Sequence, residues 1–415
     1  MTSDRKSRRA GLGRLAAKSS IVLSFVVALE VVIMISPFAL FFYAVFNPFL
    51  LALDRLAVTR WLTAFFLPHM IVPPDTLLAT IRVLGSIFFV AGLLTFLVCA
   101  AQVYAGKIRK TGVASRGLYA VVRHPQYLSL AVSGVGLAIL WPRFLTLALL
   151  AVMLFLYYLL AKDEERRMLN LYGDGYRAYM GRTGMLLPRF TAAEPPCRNQ
   201  ELYRVTWSRT LSILVVLLVI VIGSGFALRA YTVQHLPLLS VEGVDAVAIT
   251  AGDLAAVRDL LPDVLRDPAV ASRLAASRQS DHRLLAYVIP VDYTMQGMIA
   301  DTGDEWRLFE QHKTIAMITE YVLHPFGHLT EGHAHTVSGH GRMSAHDSPA
   351  MKRRIIVLDL SSDARPLTSS RDDFGIDVKR RPRFFVDVHL HTGEVLQARD
   401  IPAGSGWGTV PTPTF

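Results

Sequence analysis

Residues 127–160 read YLSLAVSGVGLAILWPRFLTLALLAVMLFLYYLL, apolar throughout apart from Trp141-Pro142-Arg143. A single helix of that length would rise about 50 Å, well beyond a hydrocarbon core of about 30 Å. Two shorter helices turning back at the tripeptide fit better, so the stretch is read as a membrane hairpin. The rest of the chain agrees. Of its 415 residues, 52% are hydrophobic and only 18% charged, and mean hydropathy is +0.37. Soluble globular chains carry about 25% charged residues. A cytosolic globular protein, a disordered or collagen-like chain and a disulfide scaffold are excluded.

Upstream, MTSDRKSRRAGLGRLAAKSS carries six Lys/Arg before an apolar run from Ile21 to about Phe46. That run is too long for a signal-peptide core and lacks a clean small-residue cleavage site. It is read as an uncleaved first span with its N-terminus in the cytoplasm. A second span runs from about Leu77 to Tyr104. Between them, NPFLLALDRLAVTRWLTAFFLPHMIVPPD is rich in aromatics and prolines and nearly charge-balanced, which suits an interfacial outer loop. GKIRKTGVASRGLYAVVRHPQ then brings five basic residues and no acid, which places it in the cytoplasm. Residues 162–209 hold nine Lys/Arg against six acids, and a last span runs from Leu211 to about Ala230.

The expected fold is a polytopic α-helical membrane protein of about five spans, N-in and C-out, with a C-terminal extracytoplasmic α+β domain. Its expected parts are a basic cytoplasmic tail (1–18), a membrane domain (19–190), a cytoplasmic linker (191–209), the last span (210–230) and the outer domain (231–415). The inner membrane of a bacterium is the expected location. Residues 1–230 hold 25 Lys/Arg and 10 Asp/Glu, whereas residues 231–415 hold 18 and 23. The basic excess thus flanks apolar spans, a pattern of topology and anionic lipid rather than of nucleic acid. The two cysteines, Cys99 in a span and Cys197 in a loop, form no framework that reveals a compartment.

Chemistry-bearing residues gather in the cytoplasmic segments around the hairpin. Arg123-His124-Pro125-Gln126-Tyr127 joins a basic loop to a span. Proline suits the first turn of a helix, and the preceding histidine is pushed towards extended geometry, free beside helix N-terminal amides. Glu164-Glu165 stands at the cytoplasmic exit of the hairpin. Tyr172-Gly173-Asp174-Gly175-Tyr176-Arg177-Ala178-Tyr179 follows, then Arg182 and Pro188. On one helix, Glu165, Leu169 and Tyr172 share a face, as do Tyr172, Tyr176 and Tyr179. Taken singly, these residues read equally as a snorkelling arginine, a solvated salt-bridged helix and an aromatic belt. Glu30, deep in the first span, is either functional or a bundle-facing neutral carboxyl.

The joint order resembles the isoprenylcysteine carboxyl methyltransferases and the wider group that includes phospholipid N-methyltransferases. The shared pattern is Gly117-Leu118-Tyr119, Arg123 to Tyr127, an apolar hairpin, Glu164-Glu165, Tyr172-Gly173, Tyr176, Tyr179, Arg182 and Pro188, over residues 77–190. Ser129 stands where the family usually has glycine. The resemblance implies S-adenosylmethionine as cofactor, with Arg123, His124, Tyr127, Glu164, Glu165, Tyr176 and Tyr179 as its binding residues. His124 and Tyr127 would hold its amino-acid end or ribose, and Glu165, also assigned a catalytic role, would pair with its ammonium. Arg182 would orient the methyl acceptor, a lipidic or prenylated carboxylate, amine or thiol. Lipid bilayer and lipidic substrate are the implied partners. Integral-membrane sterol reductases share a related region but use NADPH, and they have more spans and a longer upstream motif set than this chain.

Residues 231–415 hold 11 of the 13 histidines. Ala251–Arg278 and Trp306–Tyr321 are predicted helices; Leu284–Val291, Arg354–Leu360 and Phe384–Leu390 are predicted strands. His328, His333, His335 and His340 are candidate ligands for zinc or another transition metal, because His-x-His on a strand places both imidazoles on one face. A solvated loop with incidental histidines is the other reading. A membrane-anchored metal-binding or sensor module is accordingly an alternative function.

Overall fold

The computed structural model describes residues 45–71, 75–109, 114–189, 207–278, 283–293, 296–303, 351–363, 366–408 and 410–412. The expected first span up to residue 44 and the predicted helix at 306–321 lie outside them. Among the described residues, five α-helices precede the sheet: α1 (Asn47–Asp54), α2 (Thr76–Arg109), α3 (Pro125–Leu140), α4 (Phe144–Arg182) and α5 (Trp207–Gln234). Stretches long and apolar enough to cross a membrane are Thr76–Gly106, Phe144–Arg182 and Thr210–Gln234. The 16 residues of α3 span only about 24 Å.

α3 and α4 form the expected hairpin, broken at Trp141-Pro142-Arg143. Tyr127 and Tyr157, equidistant in sequence from Pro142, stack across it with ring centroids 5.4 Å apart. The other side of α3 meets α2 along a seam without side chains. A Cβ on Gly92 or Gly136 would collide with the facing helix backbone, and Ser133 Oγ donates to Phe89 O at 3.2 Å. α2 and α3 therefore approach as closely as membrane helices with small interface residues do.

The chain divides into two compact units, one drawing on Arg82–Trp141 and Thr146–Gly223, the other on Ala44–Ile81, Pro142–Leu145 and Ser224–Phe415. In the second unit the hairpin turn is enclosed. Phe66 N donates to Pro142 O at 2.8 Å and Phe144 N to Ala64 O at 3.0 Å. The fully buried Arg143 donates to Thr63 O and lies 4.1 Å from the Phe65 ring centroid. Phe144 packs 4.5 Å from Phe226, and Arg229 donates to the carbonyls of Phe65 and Phe374.

The remainder of that unit is a six-stranded sheet: β1 (Leu238–Val241), β2 (Val244–Ala248), β3 (Arg283–Pro290), β4 (Lys352–Ser362), β5 (Val378–His389) and β6 (Val395–Asp400), in that spatial order. Among the described strands only β2 and β3 pair in parallel, and the crossover between them carries α6 (Leu254–Arg266) and α7 (Pro268–Arg278). Val257, Leu261, Val264 and Leu265 of α6 and Leu274 of α7 pack on alternate strand residues, Leu284, Ala286 and Val288 of β3 and Phe384, Val386 and Val388 of β5. The helical period thus gives α6 one apolar face, whereas β3 is buried on both faces, with Leu285, Tyr287 and Ile289 opposite.

The structure corrects the single helix predicted at 251–278. Asp267 before Pro268 takes extended ψ, 132°, as the proline ring demands, and its Oδ1 accepts Ala269 N at 2.8 Å. The three predicted strands appear as β3, β4 and β5, each displaced or extended at its ends. β1, β2 and β6 had not been predicted.

Two buried acids flank β3. Arg283 reaches Asp373 Oδ1 at 2.8 Å and also Asp245, which accepts from Ser240 and from Ser370 at 2.9 Å. Asp373 is fully buried. Burial, reinforced by the Asp245 carboxyl and opposed by Arg283, pushes its pKa up to about 7. For Asp245 burial is outweighed by hydrogen bonds from Ser240, Asp373 and Ser370 and by the Arg283 charge, so its carboxyl stays below the usual range.

Candidate active site

α4 runs far enough to carry its own acids out of an apolar core. Twenty residues from Phe144 rise about 30 Å, so the helix reaches the end of a hydrocarbon core near Asp163. Glu164 and Glu165 come next. Opposite them, Pro125 opens α3 at its first turn, and His124 takes φ −123° and ψ 60°, outside the helix. The proline thereby fixes the histidine at the corner between loop and helix.

The imidazole sits between the two carboxylates. Nδ1 lies 3.4 Å from Glu164 Oε2 and Nε2 lies 3.5 Å from Glu165 Oε1. Nε2 is buried, and Glu165 is its charged partner. Burial lowers the His124 pKa, but hydrogen bonds and charge from Glu164 and Glu165 outweigh it and hold the ring above its ordinary value. The side chain of Glu165 is 4% exposed and that of Glu164 36%, so the neighbouring acids face different surroundings. The His124 ring stacks on Tyr127 at 5.6 Å, and Tyr127 OH stands 3.5 Å from Glu164 Oε2.

Arg123 occupies the centre of the cluster. Its Nε donates to Glu165 Oε1 at 2.5 Å, and its guanidinium reaches Met180 O at 3.1 Å and Thr183 O. Tyr179 OH donates to Tyr119 O at 2.5 Å. Tyr176 and Tyr179 are buried together with Met180, against Met168 and Leu169.

Sequence reasoning assembled Arg123, His124, Tyr127, Glu164, Glu165, Tyr176 and Tyr179, and the structure brings these together. It does not join Arg182 to them: Arg182 is exposed and makes no ion pair or hydrogen bond among the described residues. The shared helical face of Tyr172, Tyr176 and Tyr179 is also corrected. Gly173 has φ 53° and ψ −124°, values available only to glycine, so the helix register breaks there and Tyr172 is left 48% exposed. Sequence reasoning missed Tyr157, which hairpin symmetry could have found; it named Tyr119 in the motif without a role, and the structure leaves that buried hydroxyl with no hydrogen-bond partner.

His328, His333, His335 and His340 lie outside the described residues. Among the described residues no group of three or more His, Cys, Asp or Glu is placed to hold a metal. His389 and His391 stand with ring centroids 6.2 Å apart.

Residues 75–175 match the profile of the phospholipid methyltransferase family. The match covers the expected motif from Gly117 through Glu165 and ends just before Tyr176. No curated protein and no solved structure gives a significant match to the chain.

Proposed function

We propose that the chain is an integral membrane S-adenosylmethionine-dependent methyltransferase acting on a lipidic or prenylated acceptor at the cytoplasmic membrane face. The observation that carries this reading is the buried His124 imidazole set between Glu165 and the half-open carboxylate of Glu164, inside the segment that matches a methyltransferase family. The residues fit the donor. An accessible carboxylate suits its ammonium, an imidazole held between two acids suits a hydroxyl or carboxylate, and the Tyr127 and Tyr176 rings supply apolar walls.

When bound, the donor supplies a sulfonium methyl that passes to the acceptor heteroatom and leaves a neutral thioether. Methyl transfer needs little acid–base help, so alignment and exclusion of water carry most of it. Tyr127, Tyr157 and Tyr176 keep the site dry, while Glu164 and His124 hold the donor's polar end. Arg182, uncommitted and exposed, remains to orient the acceptor, best a carboxylate, which a guanidinium grips with two parallel hydrogen bonds. The basic loops support a cytoplasmic position for the cluster by the positive-inside rule. That the 44–81 segment, the hairpin turn and the C-terminal sheet share a compact unit supports an odd span count and an extracytoplasmic C-terminal domain.

The test is calorimetry on purified full-length protein with S-adenosylmethionine, S-adenosylhomocysteine and NADPH, followed by transfer of a labelled methyl group into membrane lipid fractions. Binding of the adenosyl ligands and not of NADPH is expected. The reverse pattern would identify a reductase and discard the proposal.

A further inference from the structure

We infer that Arg123 is a positioning residue: with Glu165 it forms a clasp that holds residues 174–185 shut as a cap over the site, leaving Glu164 and His124 to meet the ligand. The inference rests on the methyltransferase reading only for the identity of that ligand.

The Arg123 side chain is 9% exposed, and its hydrogen bonds are all internal. One edge pairs with Glu165 of α4 and another nitrogen binds the carbonyls of Met180 and Thr183. Met180 O belongs to the last turn of the helix and Thr183 O follows its end, where a helix leaves acceptors unsatisfied and a cation is favoured. Arg123 is therefore the C-terminal cap of the 174–182 helix, supplied from a distant segment.

The surrounding backbone makes the same join. Arg123 N donates to Gly184 O at 2.8 Å, His124 N to Met185 O at 3.1 Å, and Gly184 N to Val121 O at 3.4 Å. Tyr179 OH ties the middle of the cap to Tyr119 O. At the other end of the cap stands Gly173, where the helix breaks and where an added Cβ would meet nothing within 4 Å. An unpacked break at one end and a guanidinium fastening at the other make the segment a hinged cap.

Glu165 is consumed by this arrangement. Its Oε1 takes the Arg123 Nε, so its orientation and the closure of the cap are one event. Glu164 lacks an arginine partner from this corner and is the more exposed acid. The resemblance assigned donor binding to both acids and to Arg123; the geometry points to a division of labour between two adjacent carboxylates.

The experiment uses full-length protein in lipid nanodiscs, comparing the parent with Arg123→Met, Arg123→Lys, Glu165→Gln, the Arg123→Met/Glu165→Gln double variant and Glu164→Gln. Hydrogen exchange is read on peptides covering 174–186, and S-adenosylhomocysteine affinity by calorimetry. Arg123→Met should speed exchange in the cap by about tenfold or more without ligand, as expected for loss of charge-assisted hydrogen bonds. Arg123→Lys should do so by less, because an ammonium cannot span carboxylate and carbonyls as a planar fork does. The double variant should exchange no faster than Arg123→Met. Glu164→Gln should weaken ligand binding and leave cap exchange unchanged. Unchanged cap exchange in both arginine variants would overturn the clasp, as would losses of affinity that multiply in the double variant. Should Arg123→Met fail to insert, Arg123→Lys decides alone. A parent that binds no S-adenosylhomocysteine would refute the methyltransferase reading, while the exchange arm would still decide the clasp.

Discussion

Asp373→Asn isolates the titration of one buried acid in the sheet unit. The Asp373 carboxyl is raised from 3.8 to about 7, so the native state holds a proton that the unfolded chain releases near pH 4. Stability from this group is fully present below pH 4 and is lost as pH rises through about 7. Three units at about 1.4 kcal/mol each set a ceiling of about 4 kcal/mol. Asp245 is shifted downwards, so its contribution disappears only in acid and leaves the window from pH 5 to 8 to Asp373. An asparagine keeps the shape, accepts from Arg283 and donates to Asp245, but cannot ionise. The variant should gain on the parent by about 1.4 kcal/mol for each pH unit from 5 to 7, levelling off by pH 8. Half the ceiling would separate the melting temperatures by about 4–8 °C. Scanning calorimetry of full-length protein in detergent at pH 5, 6, 7 and 8 measures the difference. Parallel pH profiles for the two proteins would refute the reasoning, because they would mean that Asp373 stays ionised throughout.

Gly136→Val drives a side chain into the backbone of Phe89 and Gly85; overpacking of this kind costs about 1–3 kcal/mol, read as lowered thermal stability in detergent, whereas the same change at Gly223, whose Cβ would meet nothing, should be tolerated. Arg143→Ala strips the hydrogen bond from Thr63 O and the cation from the Phe65 face, and should lower stability by about 2–4 kcal/mol. A reporter fused after Phe415 should work only in the form active outside the cytoplasm if the span count is odd, as proposed; cytoplasmic activity would refute that topology.

The membrane helices were legible because long apolar runs and a polar tripeptide leave few alternatives. β3, β4 and β5 were legible for a similar reason, as short apolar runs buried almost without interruption. β1 and β2 were hidden by their shortness. The signal was Glu242-Gly243, a two-residue connection with positive φ at both positions, 48° and 81°, which suits a tight hairpin turn. β6 is an edge strand with no buried residue, so its sequence carries little of the pattern that marks a strand. Asp267-Pro268 and Gly173 were visible as breakers, yet apolar periodicity on both sides outweighed them. In the site, residue types and spacing identified the cluster. They could not say which of two adjacent glutamates meets Arg123, because a helix turn of 100° separates them and only the position of the α3 corner decides between them.

Phe65 draws its neighbours from the whole length of the chain. Arg143 covers its ring, Arg229 binds its carbonyl and that of Phe374, and Trp407 lies 5.8 Å from the same Arg143 guanidinium. During synthesis the hairpin turn leaves the ribosome more than 250 residues before Trp407 does. Until then Arg143 lacks part of its aromatic enclosure, and closing so long a loop is slow even though its entropy grows only logarithmically with length. Biogenesis should therefore pass through a state in which the helices are inserted but the turn is unsealed. That state is where a membrane chaperone or a quality-control protease would find this chain most exposed.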